Sequence, residues 1–195
     1  MRIVIASKNK GKIEEIKRLL GDATVNVVSL SEYPDIPEII EDGQTFEENA
    51  VKKATTVAEY TKEIALADDS GLVVYCLNGE PGVLSARFGG ENLDDKGRNQ
   101  LLLERMKNSG DRVARFICVI AIATPEGMIK TVHGSCEGII ADTQRGDHGF
   151  GYDPVFIPDG YASTFAELGI EIKNKLSHRA KALERVGDVL LESVQ

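Results

Sequence analysis

The sequence has no cysteine pair at metal-ligand spacing. Its three cysteines, Cys76, Cys118 and Cys136, lie far apart within apolar stretches. That excludes a zinc ribbon or a disulfide framework and points to buried thiols in a reducing compartment. An excess of positive charge is also missing: 23 Lys and Arg stand against 31 Asp and Glu, a formal net charge of −8. Such a chain offers no broad basic surface for nucleic acid or for an anionic membrane. No apolar run approaches the roughly 20 residues of a membrane span. The opening MRIVIASKNKGK has too short an apolar stretch for a signal peptide. Internal repeats, low-complexity tracts and a dividing linker are absent as well. A soluble, cytoplasmic chain is expected. What is present is ordinary: 195 residues, 42% hydrophobic and 28% charged, enough for one compact domain or two small lobes with a sizeable core.

Periodicity sets out the elements. Residues 2–6 are a short β-branched run, and Ile13, Ile16, Leu19 and Leu20 follow at helical spacing over 12–20. A strand is expected over 25–30 and a Pro- and acid-rich loop over 31–43. Thr45 and Glu48 form a capping box that starts a helix running to Tyr60. Residues 64–67 read as strand, Asp68-Asp69-Ser70-Gly71 as a turn, and 72–77 as strand again. A glycine-rich loop over 80–92 precedes a helix over 93–106. Residues 112–123 and 128–141, joined by the turn Thr124-Pro125-Glu126-Gly127, read as a long antiparallel hairpin. Residues 142–162 are loop. Ser177 caps a last helix with the apolar stripe Leu183, Val186, Leu190 and Val194. The sum is a mixed α/β domain around one sheet.

Five segments carry residues suited to chemistry. Ser7-Lys8-Asn9-Lys10-Gly11-Lys12 lies between a strand and a helix, where backbone N–H groups, a helix N-terminus and lysines favour an anion. It lacks the first glycine and the metal-binding hydroxyl of a P-loop, so it reads as a phosphate cradle of another kind or as an exposed basic cap. Glu41 and the adjacent Asp68 and Asp69 offer hard oxygen ligands for Mg²⁺ and a water, or else a common turn. Asn49 and Lys53, four apart, share a helix face with Phe46, and Glu48 and Lys52 are spaced for a local ion pair. Gly149-Phe150-Gly151-Tyr152-Asp153-Pro154 frees an aromatic face for stacking beside an acceptor, or is a plain turn with two core aromatics. Lys173 precedes Ser177-His178-Arg179. Cations at a helix N-terminus oppose its dipole, which suggests a role other than helix stability. His133 and His148 have no comparable setting.

These segments, with ADDSGL at 67–72 and PGVLSARF at 81–88, resemble in order and register the inosine triphosphate pyrophosphatases. The resemblance spans nearly the whole chain. It implies an elongated α/β fold with a twisted sheet, two lobes around a central cleft, and a homodimer. It further implies Mg²⁺-dependent cleavage of ITP, dITP or XTP to monophosphate and pyrophosphate. By the same resemblance, Ser7, Lys8, Asn9, Lys10, Gly11 and Lys12 bind the triphosphate with Lys53. Glu41 and Asp69 hold Mg²⁺ with Asp68 close by, and Asp69 accepts the proton of the attacking water. Ser70 contacts substrate, Phe150 stacks on the purine with Gly151 and Tyr152 alongside, and Asp153, Lys173, His178 and Arg179 surround the base. Ser7 stands where the family more often has Thr. Two other readings stay open: a pyrophosphatase of modified pyrimidine nucleotides sharing the fold class, and a nucleotide-binding module without turnover.

Overall fold

The computed structural model describes residues 2–20 and 26–192. The elements are β1 (Arg2–Ile5), α1 (Lys10–Leu20), β2 (Asn26–Ser29), α2 (Phe46–Thr61), β3 (Ile64–Val74), α3 (Asp95–Arg105), β4 (Val113–Ala123), β5 (Ile129–Ile140), β6 (Phe156–Pro158), α4 (Phe165–Leu176) and α5 (His178–Glu192). The six strands make one mixed sheet in the order β2-β1-β3-β4-β5-β6. β1 runs parallel to β2 and β3, with Ile3, Val4 and Ile5 opposite Val27, Val28 and Ser29 on one side and Ile64, Ala65 and Leu66 on the other. β5 pairs antiparallel with β6. β4 and β5 are neighbours joined by a tight turn in which Gly127 N–H donates to Thr124 C=O at 3.0 Å, which requires an antiparallel pair. The mixed α/β class read from periodicity is the class observed. Among the described residues, no helix is long and apolar enough to cross a membrane.

The chain divides into two compact units. The first comprises Met1–Asp69, Cys118–Gly134 and Lys181–Gln195, and the second Ser70–Ile117 and Ser135–Ala180. β3, β4 and β5 each contribute residues to both. In the first unit, Ile3, Ile5, Leu66, Ile120 and Ile122 from the sheet pack with Ile16 of α1 and Ala182, Leu183 and Val186 of α5. The second unit is built on aromatic rings: Phe116 lies 4.6 Å from Phe156, and Phe156 lies 5.5 Å from Phe165. Leu72, Leu102, Met106 and Tyr152 complete that core.

Three expectations are corrected. The Asp68-Asp69-Ser70-Gly71 stretch is not a turn: β3 runs through it without a break and ends at Val74, giving way to a 3-10 turn over Tyr75–Leu77. Pairing with neighbouring strands overrides the local turn preference of those residues. The loop read over 142–162 contains β6, and α4 was not foreseen at all. The helix expected over 93–106 is shorter: α3 starts at Asp95, capped by Asp94, whose side chain accepts from Gly97 N–H, and ends at Arg105. The expected strand start at Val25, the Leu190 side chain and Val194 lie outside the described residues.

Candidate active site

Each unit gathers its own set of the expected residues. In the first, the β1–α1 loop is organised by its own polar side chains. Ser7 Oγ accepts from Asn9 N–H at 3.2 Å, and Asn9 Oδ1 accepts from Lys12 N–H at 3.1 Å. Asn9 thereby caps α1, whose first turn carries no acidic residue, so the positive end of its dipole is left for an incoming anion. Ser7, Lys8 and Lys10 line a cavity of about 530 Å³ that extends to Tyr33, Pro34 and Ile36. Lys12 turns elsewhere.

Successive residues of a strand face opposite ways, so Asp68 and Asp69 of β3 have separate surroundings. Asp68 Oδ1 pairs with Lys12 Nζ at 2.5 Å, and Asp68 Oδ2 accepts from the Cys118 thiol at 3.0 Å. Its side chain is fully buried. Asp69 faces α2. There Lys53 Nζ donates to Glu41 Oε2 at 2.7 Å, to Asp69 Oδ1 at 2.9 Å and to the Asp68 carbonyl at 2.9 Å, satisfying all three of its protons. Asn49, one turn before Lys53, donates to Asp69 Oδ2 at 3.4 Å and accepts from Gly43 N–H at 2.8 Å. The shared face of Asn49 and Lys53 is therefore as expected. The Glu48–Lys52 pair is not: Glu48 completes the capping box with Thr45, and Lys52 pairs with Asp42 at 2.6 Å.

This arrangement shifts the charges. Burial pushes the Asp69 carboxyl up to about 6, against the pull of Lys53, and its hydrogen bond with Glu41 adds to the rise. Burial also raises Glu41, but Lys53 and the Asp69 hydrogen bond outweigh it and hold that carboxyl below the ordinary glutamate value. Burial works against the Lys53 ammonium, yet Asp69 and Glu41 keep it above the usual lysine value. Two hydrogen-bonded carboxylates, one of them reluctant to ionise, form a donor set that a hard divalent cation suits. Glu41 and Asp69 thus fit Mg²⁺. Asp68 does not join them, because both its oxygens are engaged by Lys12 and Cys118. Among the described residues, no group of three or more His, Cys, Asp or Glu is arranged to hold a metal ion.

In the second unit the 149–154 loop presents Phe150. Its N–H donates to Asp153 Oδ2 at 2.9 Å, and that same oxygen takes Lys173 Nζ at 2.5 Å. Lys173 Nζ lies 4.4 Å and the Arg179 guanidinium 5.8 Å from the centre of the Phe150 ring. Arg179 also donates to Ser70 Oγ at 2.9 Å. His178 stacks on Phe116 at 4.6 Å, and Ser177 Oγ accepts from Ala180 N–H at 3.1 Å, the expected cap of α5. Ser70, Phe150, Asp153, Lys173 and Arg179 thus come together. Tyr152 does not join them with its side chain: the ring is part of the core and its hydroxyl donates to Ser85 C=O at 2.9 Å, with burial raising its pKa. Gly151 engages through its backbone, as both its polar groups bond to α3.

Cys118, Asp95 and Asn99 belong to these clusters without a place in the five candidate segments, and Asn49 belongs to them from a candidate segment without an assigned role. Asn49 had a usable signal, its one-turn spacing from Lys53. Cys118 sits in an unbroken apolar run, and Asp95 and Asn99 act across more than 50 residues of chain, so spacing gives no hint of them.

Known proteins match this chain along its length. The Ham1 family model matches residues 3–189. A dITP/XTP pyrophosphatase of Desulforamulus reducens is 52% identical over 192 residues, covering 97% of this chain and 96% of that protein. One of Geobacter sulfurreducens is 48% identical over 191 residues, with 97% and 96% covered. Among solved structures, a HAM1 protein from Coxiella burnetii superimposes with a TM-score of 0.90 at 43% identity, over 98% of this chain and 99% of that one. A fold of this class, carrying the same motifs in the same order over nearly all its length, has one reading: the chain belongs to the Ham1 family.

Proposed function

We propose that this protein hydrolyses the non-standard purine nucleoside triphosphates ITP, dITP and XTP to the nucleoside monophosphate and pyrophosphate, clearing deaminated purines from the nucleotide pool. It is a nucleoside triphosphate pyrophosphatase. The observation that carries the proposal is Lys53, whose ammonium is shared between Glu41 and Asp69 while Asp69 is held near a pKa of about 6. A carboxylate poised there accepts a proton from water far more readily than an exposed aspartate. The names of the relatives supply the substrate class.

In this reading Asp69 takes the proton of the attacking water and Lys53 steadies its charge. Lys12, held by Asp68, and the N–H groups at the start of α1 take phosphate oxygens, with Ser7, Lys8, Asn9 and Lys10 completing the cradle. Mg²⁺ bound by Glu41 and Asp69 would neutralise phosphate charge and favour departure of pyrophosphate. Phe150 stacks on the purine. Lys173, His178 and Arg179 donate toward a 6-oxo group, and the Asp153 carboxylate keeps Lys173 beside the ring. A 6-amino group would leave those donors unmatched, at about 1–3 kcal/mol per donor. The proposed organisation is one catalytic domain over residues 1–195. A cytoplasmic setting and a homodimer belong to the same proposal, the first supported by three cysteines outside any disulfide and the second by the family resemblance.

The test is product analysis by ³¹P NMR and chromatography with Mg²⁺ and dITP, dGTP, dATP or dTTP. Monophosphate and pyrophosphate from dITP, with the others largely spared, are expected. Diphosphate and phosphate would place attack at the γ-phosphorus and overturn the reaction. Turnover of dTTP with dITP spared would move the substrate class to pyrimidine nucleotides, and binding without turnover would leave a nucleotide-binding module. Equilibrium sedimentation tests the dimer.

A further inference from the structure

One helix outside the motifs grips the loop that presents Phe150. Asp95 and Asn99 of α3 lie four residues apart and so face the same way. Asp95 Oδ2 accepts from Gly151 N–H at 2.7 Å, and Asn99 Nδ2 donates to Gly151 C=O at 2.9 Å. Both polar groups of a single residue's backbone are therefore fixed by one helix face. Gly151 itself has φ 61°, a left-handed conformation, and a Cβ there would meet nothing within 4 Å. Conformation rather than space calls for glycine at this point.

Asp95 serves α3 as the acid of its first turn, but Asn99 is not explained by the needs of the helix. The helix is already capped by Asp94, whose Oδ1 accepts from Gly97 N–H at 2.8 Å. Asp95 Oδ1 pairs with Arg98 at 3.1 Å, which leaves its other oxygen for the loop. Asn99 is 1% exposed, and its Oδ1 has no hydrogen-bond partner among the described residues. A buried acceptor without a partner is costly, and an apolar residue of similar size would avoid that cost. The amide is retained with one end unmatched and the other on Gly151. Placement of the loop is the one evident return.

Phe150 immediately precedes the gripped residue. Its own N–H is held by Asp153, and Asp153 N–H donates back to Phe150 C=O at 3.3 Å. The backbone is thus fixed on both sides of a side chain that is only half-buried. We infer that Asp95 and Asn99 are positioning residues that hold the Phe150 ring in register for base stacking, and so set affinity and selectivity for the base without touching substrate. The inference rests on the reading that Phe150 carries the purine.

The experiment uses the full-length protein with Mg²⁺ and compares Asn99→Asp, Asp95→Ala, Asp95→Asn and Phe150→Ala. Asn99→Asp keeps the shape and removes the donor, while Asp95→Asn keeps an acceptor oxygen. For Asn99→Asp and Asp95→Ala, KM for dITP is expected to rise about tenfold with kcat within about twofold, and dITP-over-dATP selectivity to fall. The Ki of inorganic tripolyphosphate, which has no base, should not change. Asp95→Asn should restore KM to within about threefold of the parent, and Asn99→Asp combined with Phe150→Ala should be no worse than Phe150→Ala alone. If Phe150→Ala raises KM but both clamp variants leave KM and selectivity unchanged, the positioning role is overturned and stacking stands. If Phe150→Ala itself has no effect on KM, the stacking reading fails instead. Equal losses for dITP and tripolyphosphate would mean general damage to the fold and would also overturn the role. Should Asn99→Asp fail to fold, the Asp95 pair decides the matter alone.

Discussion

The two units centre on different kinds of group, although each buries an ion pair, Lys173 with Asp153 in the second. In the first, charge meets charge: Lys12 with Asp68, and Lys53 with Glu41 and Asp69, all at 2.9 Å or less. In the second, a neutral ring is the centre, with Phe150 flanked by Lys173 and Arg179 and its loop held by N–H bonds to Asp153 and Asp95 and by the Asn99 amide donating to Gly151 C=O. On the proposed function the first would serve polyanions and a hard cation, where charges must be neutralised at fixed points. The second would serve a flat, weakly polar group, where a surface must be kept level and open. The contrast also explains how a protein of net charge −8 can bind a polyanion. Lys12 and Lys53 are concentrated beside the two acids of β3, whatever the balance of charge over the rest of the surface.

The sharpest way to break this division is at Asp69. Asp69→Asn should lower kcat by about a thousandfold or more with the fold intact, if proton acceptance and cation binding both pass through it. Near-parental turnover would remove Asp69 from the mechanism. Lys53→Met comes next. It leaves the buried Asp69 without its ammonium and the part-exposed Glu41 without its partner, so stability should fall by up to about 3–5 kcal/mol in chemical denaturation, and Mg²⁺ should recover part of it. Equal stability with and without the lysine would mean that its ion pairs are incidental.

Phe150→Ala tests the other unit. Loss of base stacking should cost about 1–3 kcal/mol, read as a rise in KM for dITP, while tripolyphosphate inhibition stays as it was. A matching loss for tripolyphosphate would erase the distinction between the units. The titration of Asp69 sharpens the first unit alone. In metal-free protein, ¹³C NMR should show its carboxyl ionising near pH 6, and added Mg²⁺ should move that midpoint lower. The sign follows from the raised value: below the midpoint Asp69 is protonated and cannot accept the water's proton, so activity falls on the acid side. A midpoint in the ordinary aspartate range would mean that burial is not felt there. The smallest effect is expected at Thr45→Ala, about 1 kcal/mol of stability from the lost cap of α2, with base selectivity unchanged.

Local features were legible in the sequence and distant ones were not. The Thr45–Glu48 box, the common face of Asn49 and Lys53, and the Ser177 cap each involve residues three or four apart, where helical geometry alone decides the contact. The turn read at Asp68-Asp69-Ser70-Gly71 failed because its fate depends on strands elsewhere in the chain. Tyr152 was misplaced for a related reason: nothing in GFGYDP says which of two aromatics will find Ser85 C=O. Helix α4 had a readable start in Thr164 and Glu167, but Gly169, at φ 77°, interrupts its period. The family resemblance groups residues far apart in the chain without needing to compute their pairings.

The unbroken course of β3 has a consequence for the length of this chain. Whether a carboxylate meets the α1 lysine or the α2 lysine is decided only by whether its position is odd or even along the strand. A single residue inserted upstream of Ala67 within β3 would reverse that parity, leaving Ala67 where Asp68 now meets Lys12 and turning Asp68 toward the α2 lysine. Two inserted residues would restore parity but carry both acids about 7 Å along the sheet. The strand therefore acts as a ruler that admits no insertion, however conservative the residue added.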